Sequence, residues 1–126
     1  YLRTLYYHDT RFAKVKTVFT IHNIEYQGIY AYDQDIIEDV FGLSFNDGYL
    51  LEYLGKVNIM KGAMEAANFV TTVSPTYAEE ILQKEFAHGL EHETVRVKGE
   101  GKLKGILIIL LKIKLYLKIM IKKVLR

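Results

Sequence analysis

Cysteine is absent from this 126-residue chain, which excludes disulfides and thiolate metal sites and suits a reducing compartment; the expectation is a cytoplasmic protein. Neither GxxxxGK[ST] nor GxGxxG occurs, so the glycine-based phosphate cradles are excluded. The HExxH order is missing too. His88 and His92 stand four apart beside Glu91 and Glu93, but Gly89 interrupts them, and the expectation is a solvated loop rather than a metal site. The start, Tyr1-Leu2-Arg3-Thr4, has no basic region followed by an apolar one, as a secretory signal would. It has no initiator methionine either, and a piece of a longer protein is expected. The longest uninterrupted apolar run, residues 106–111, is far short of the ~20 residues that span a bilayer.

What is present bounds the chain to one domain at most, with half its residues hydrophobic and a core within reach. The net charge of +2 conceals an asymmetry. Of seventeen basic residues, eight lie in 102–126 (Lys102, Lys104, Lys112, Lys114, Lys118, Lys122, Lys123 and Arg126), where no acid occurs. Residues 1–101 thus carry nine basic groups against all fifteen acids, a charge of −6. This composition break places a boundary near Gly105. An acidic body argues against nucleic-acid binding, and the tail lacks arginine-rich or aromatic interleaving.

Residues 14–20 read as a buried strand, because parallel strands covered on both faces are continuous Val/Ile/Phe runs. Residues 24–48 mix Gly, Asp, Asn and aromatics without period, predicting a long loop with one short helix over 35–41. A helix is expected over 56–67, with Val57, Met60, Met64 and Ala67 on one face and Lys61 and Glu65 on the other. Gly62 would weaken that helix by ~1 kcal/mol relative to alanine, which implies close packing against a neighbour. Residues 69–73 read as a second strand. Ser74-Pro75 then starts a helix over 76–84, serine capping and proline in the first turn, with Tyr77, Ile81 and Leu82 inward. Gly99-Glu100-Gly101-Lys102 forms a turn into a strand over 103–107. Strand and helix alternating in this order predict part of an α/β parallel sheet with flanking helices and right-handed crossovers.

The candidate site is the pair His22-Asn23. In open α/β sheets, ligands lie just beyond the carboxyl ends of the strands, and this pair follows the first strand directly. A neutral imidazole donates or accepts one hydrogen bond, and an asparagine amide does both, which suits sugar hydroxyls better than a metal. Tyrosines such as Tyr6, Tyr7, Tyr26, Tyr30 and Tyr32 offer faces that stack on sugars, although core packing or surface exposure is the commoner fate of any one of them.

Three segments resemble a known family. His22-Asn23-Ile24-Glu25-Tyr26-Gln27-Gly28 resembles the HN(L/I)AYQG signature of bacterial glycogen synthases and plant starch synthases. The stretch from Leu51 to Gly62, which contains Gly55-Lys56-Val57-Asn58, is similar to their YGKVNFLKGG. The stretch from Asn68 to Ile81, which contains Thr71-Thr72-Val73-Ser74-Pro75-Thr76-Tyr77-Ala78, is similar to their ADRVTTVSPTYAREI. The resemblance covers residues 1–107 in order and spacing. It implies a partial Rossmann-like sheet, the N-terminal half of a two-domain GT-B glycosyltransferase. It further implies retaining transfer of glucose from ADP-glucose to the non-reducing end of an α-1,4-glucan, without metal, cofactor or prosthetic group. By the same resemblance His22 is the catalytic residue beside the donor glucose, and His22, Asn23, Tyr26 and Gln27 bind substrate. Glu25 departs from the family's alanine. The family's KTGGL loop and DWH-type motif would precede Tyr1, and its C-terminal domain is not represented, so this chain alone is expected to be inactive. A GT-B relative using another nucleotide sugar is the alternative.

After Gly105-Ile106-Leu107 the family pattern GILNGID fails at Ile108. Residues 108–126 are expected to be a non-homologous Ile/Leu/Lys tail, the product of a frame change in an A/T-rich gene. The rival expectation is a basic amphipathic helix on a membrane surface, since Lys112, Lys114, Lys118, Lys122 and Lys123 fall within about half a helical wheel.

Overall fold

In the computed structural model the described residues are 1–107; both expectations for the tail lie outside them. The β-branched and aromatic run Val18–Ile21 forms β1, Ile29–Ala31 forms β2, and Ser44 caps a single helical turn, α1 (Phe45–Gly48). Then come β3 (Glu52–Tyr53), β4 (Lys56–Asn58), α2 (Ile59–Ala66), β5 (Phe69–Thr72), α3 (Pro75–Glu80), α4 (Glu91–Gly99) and β6 (Leu103–Gly105). The expected short helix over 35–41 is one wide turn, Ile36–Val40.

Two small sheets result. The first is parallel, in the order β1-β5-β6, with Ile21 opposite Thr72 and Thr72 opposite Gly105. All three strands therefore end along one edge. The second is antiparallel, in the order β2-β4-β3. The α/β reading with a parallel sheet and flanking helices stands. One detail differs: β1 has only β5 beside it among the described residues, so Val18 is 61% exposed and only Ile21 is buried.

The helix expected over 56–67 starts three residues late. Lys56, Val57 and Asn58 pair with β2, and Asn58, in extended backbone, accepts the Lys61 N–H at 2.9 Å as N-cap. Val57 then joins Ile37 and Leu43 in a small cluster under the second sheet. Met60, Met64 and Ala67 belong to the main core with Ile21, Ile24, Val70, Ile81, Leu90, Val97 and Leu103. Each large apolar side chain buried there contributes about 1.5–3 kcal/mol.

Gly62 packs as its position implied: a methyl group there would overlap Leu51 Cδ2 and lie 3.3 Å from the Leu50 carbonyl oxygen. Lys61 is not on an outer face. It is buried, with Nζ donating to Leu50 O at 3.1 Å and pairing with Glu65 at 2.6 Å.

Ser74 caps α3 by accepting the Tyr77 N–H, with Pro75 in the first position. The helix stops at Glu80, four residues before the expected end, and a turn-rich segment follows. No local pattern announces α4. Its charged surface carries little amphipathic signal; it buries only Thr94 and Val97, and Lys98 pairs with Glu79 of α3.

Candidate active site

The carboxyl edge of the parallel sheet gathers three segments: the loop after β1, the start of α3 after β5, and the end of β6. The loop carries the candidate residues. His22 and Asn23 are both exposed, and Ile24 between them and the rest of the loop is buried as an anchor. Asn23 Oδ1 accepts the Glu25 N–H at 3.0 Å, an Asx turn that folds the loop back on itself. Its amide nitrogen is the end that no hydrogen bond occupies among the described residues. Tyr26 is 77% exposed, an aromatic face open to solvent.

Two contacts fix this loop from behind. The Ile24 N–H donates to the Tyr77 hydroxyl oxygen at 2.9 Å, tying the loop to the first turn of α3. At the other end Gln27 is buried, and both ends of its amide are occupied. Its oxygen accepts from Asn58 Nδ2 at 2.7 Å, and its nitrogen donates to the His88 carbonyl at 2.9 Å. Gln27 O and Gly28 O then accept the first N–H groups of α2. Gln27 was expected to touch substrate directly; here its side chain is spent on internal hydrogen bonds, and it shapes the loop. Sequence alone could not show this, because the partners are 31 and 61 residues away.

Beneath the loop, Thr20 and Thr71 share a hydroxyl hydrogen bond at 2.9 Å, and Thr72 Oγ1 donates to Ser74 O at 2.8 Å. Gly105 lies so close to Ser74 and Pro75 that a side chain there would collide with their backbone. Beside Gln27, a hollow of about 320 Å³ is lined by Ile29, Tyr53, Leu54, Lys56, His88 and Gly89, among others. Tyr53 donates to Gly89 O at 2.9 Å, and burial first, then Glu91 and Glu93, raise its phenol above the ordinary range, so it stays protonated.

His88 and His92 do not share a helical face. His88 sits in the turn before α4 with φ +50°, and His92 lies in the first turn of α4. Among the described residues no group of three His, Cys, Asp or Glu side chains could hold a metal ion. No helix among them is long and apolar enough to cross a membrane.

An exposed polar pair beyond a parallel strand, braced from two neighbouring segments, lies where open α/β sheets hold their ligands. The starch synthase catalytic domain family matches residues 1–95. A glycogen synthase of Alkaliphilus metalliredigens is 45% identical over 102 residues, covering 79% of this chain and 21% of that protein. That of Desulfitobacterium hafniense is 43% identical over 109 residues, covering 85% and 22%. Among solved structures, the catalytic domain of starch synthase IV from Arabidopsis thaliana, bound to ADP and acarbose, superposes with a TM-score of 0.58 at 34% identity, covering 73% of this chain and 19% of that one. The chain belongs to the starch synthase catalytic domain family of glycosyltransferases. It spans about a fifth of the length of the relatives it matches.

Proposed function

We propose that this chain supplies one wall of a glycogen synthase active site, in which glucose passes from ADP-glucose to the non-reducing end of an α-1,4-glucan. The observation that carries the reading is the placement of His22 and Asn23. They stand exposed at the carboxyl edge of the parallel sheet, inside the segment that matches the family. The imidazole of His22 and the amide nitrogen of Asn23 would hydrogen-bond the donor glucose, and Tyr26 offers a face to a sugar ring. Gln27 acts behind them as a positioning residue. We take residues 1–107 as the family portion, since β6, beyond the matched residues 1–95, pairs in parallel with β5 and ends at Gly105.

Transfer with a diphosphate leaving group needs positive charge aimed at the phosphates and closure that excludes water. The loop carrying His22 and Asn23 contains no Lys or Arg. Activity is therefore proposed for the assembled enzyme, and the 126-residue chain alone should not incorporate labelled glucose into glycogen. The test replaces the matching segment of the Alkaliphilus metalliredigens glycogen synthase with residues 1–107 and compares ADP-glucose with UDP-glucose. Turnover with ADP-glucose is expected. Preference for UDP-glucose would move the assignment to another nucleotide-sugar transferase, and a folded chimera inactive with both donors would overturn it.

A further inference from the structure

We propose that Tyr77 is a positioning residue for the glucosyl-transfer site, acting through the backbone of the His22-Asn23 loop; this rests on the function proposed above. The Tyr77 hydroxyl accepts the N–H of Ile24 at 2.9 Å across 53 residues of sequence. Ile24 is the residue after the exposed pair, and its side chain is 1% exposed. Its amide therefore sets the direction from which His22 and Asn23 leave the sheet. The remaining contacts of the pair are local: Asn23 Oδ1 to the Glu25 N–H, and the Tyr26 N–H to Asn23 O at 3.4 Å. Between β1 and Gln27, the Tyr77 hydroxyl is the one side-chain hydrogen-bond partner from another element that reaches this loop among the described residues.

The tyrosine is itself held rigidly. Its ring packs against the main core, and its own N–H is fixed by the Ser74 cap. Ser74 and Pro75 are in turn backed by Gly105, where the absence of a side chain lets β6 approach. A chain of contacts thus runs from the end of β6, through the start of α3, to the loop that faces substrate. Groups that must hold a reacting sugar gain from such fixed placement, because small misplacements cost rate far more than they cost affinity.

Tyr77→Phe removes the acceptor and keeps the ring. In the 126-residue chain, amide exchange followed by NMR should show Ile24 exchanging about fivefold faster, the size of one lost hydrogen bond. Val70 and Val97, buried in the same core, should keep their protection. In the chimera, the same change should lower kcat about tenfold with KM for ADP-glucose and the unfolding midpoint little changed, as expected for mispositioning rather than lost binding. If Val70 and Val97 lose protection, the isolated chain has unfolded, and the kcat-against-KM comparison in the chimera decides. Unaltered Ile24 exchange, or an unaltered kcat, overturns the assignment. A chimera inactive even with Tyr77 intact refutes the proposed function instead, and the exchange rate still decides whether Tyr77 holds the loop.

Discussion

The side-chain amide of Asn58 donates to the Gln27 side-chain oxygen at 2.7 Å while its own oxygen caps α2 through the Lys61 N–H. One buried residue thus starts a helix and closes the far end of the candidate active-site loop. Asn58→Ala removes the cap and strands the Gln27 oxygen in the interior. The expected loss is about 2–4 kcal/mol, a cap of ~1 and an unsatisfied buried acceptor of ~1–3. Chemical denaturation of Asn58→Ala, Gln27→Ala and the double variant should show coupling of about 1 kcal/mol between them. Strict additivity would mean the contact does not stabilise the fold.

Gly62 and Gly105 are both close-packed, but they should differ in tolerance. Alanine at Gly105 would overlap the backbone of Ser74 and Pro75, which cannot move without shifting the start of α3. Alanine at Gly62 would overlap the tip of Leu51, a side chain that can rotate, and helix propensity would return ~1 kcal/mol. Gly105→Ala should therefore destabilise by about 3 kcal/mol or more and Gly62→Ala by clearly less. Urea midpoints in the reverse order would contradict this packing.

Legibility in the sequence followed the range of the forces involved. The parallel strands and the Ser74-Pro75 helix start were readable, because apolar runs and caps are local signals. The antiparallel sheet was not: β2, β3 and β4 are two or three residues each, and pairing with one another rather than pattern makes them strands. Val57 shows the cost. Its spacing to Met60 and Met64 fits a helix face, yet it sits on a strand in a different cluster. At the site, His22 and Asn23 stood where strand-end reasoning put them, exposed beyond β1. The internal role of Gln27 and the bracing by Tyr77 depend on contacts across 31 to 61 residues, which no local pattern encodes.

The end of α4 carries a charge cluster with a defined pH dependence. Glu100 accepts from Arg96 at 2.6 Å and pairs with Lys102 at 2.7 Å. The hydrogen bond to Lys102 first, and that to Arg96 next, lower its pKa below the ordinary 4.5. A depressed acid stabilises the fold above its unfolded pKa, and that stabilisation is lost as pH falls through the folded value. The cluster is about one-third exposed and screened by solvent, so Glu100→Gln should cost no more than about 1 kcal/mol at pH 7. The gap between the variant and the parent chain should close well below pH 4.5. A gap that persists in acid would point to packing rather than charge.

His22 and Tyr77 should differ in what their removal costs, and the combination is the sharper test. His22 is exposed, so His22→Ala in the chimera should leave the unfolding midpoint unchanged. Turnover should fall about a hundredfold or more, the range for removing one group aimed at the transition state. Tyr77→Phe leaves that imidazole in place and only loosens its support, so its own effect is smaller. If Tyr77 acts through the loop, its loss should matter less once His22 is gone, because there is no longer an imidazole to misplace. Residues that act as one unit show this non-additivity, whereas independent sites more than 7–10 Å apart add within about 0.5 kcal/mol. The kcat of the double variant should therefore lie close to that of His22→Ala alone. A full multiplicative loss would assign Tyr77 a role separate from that of His22.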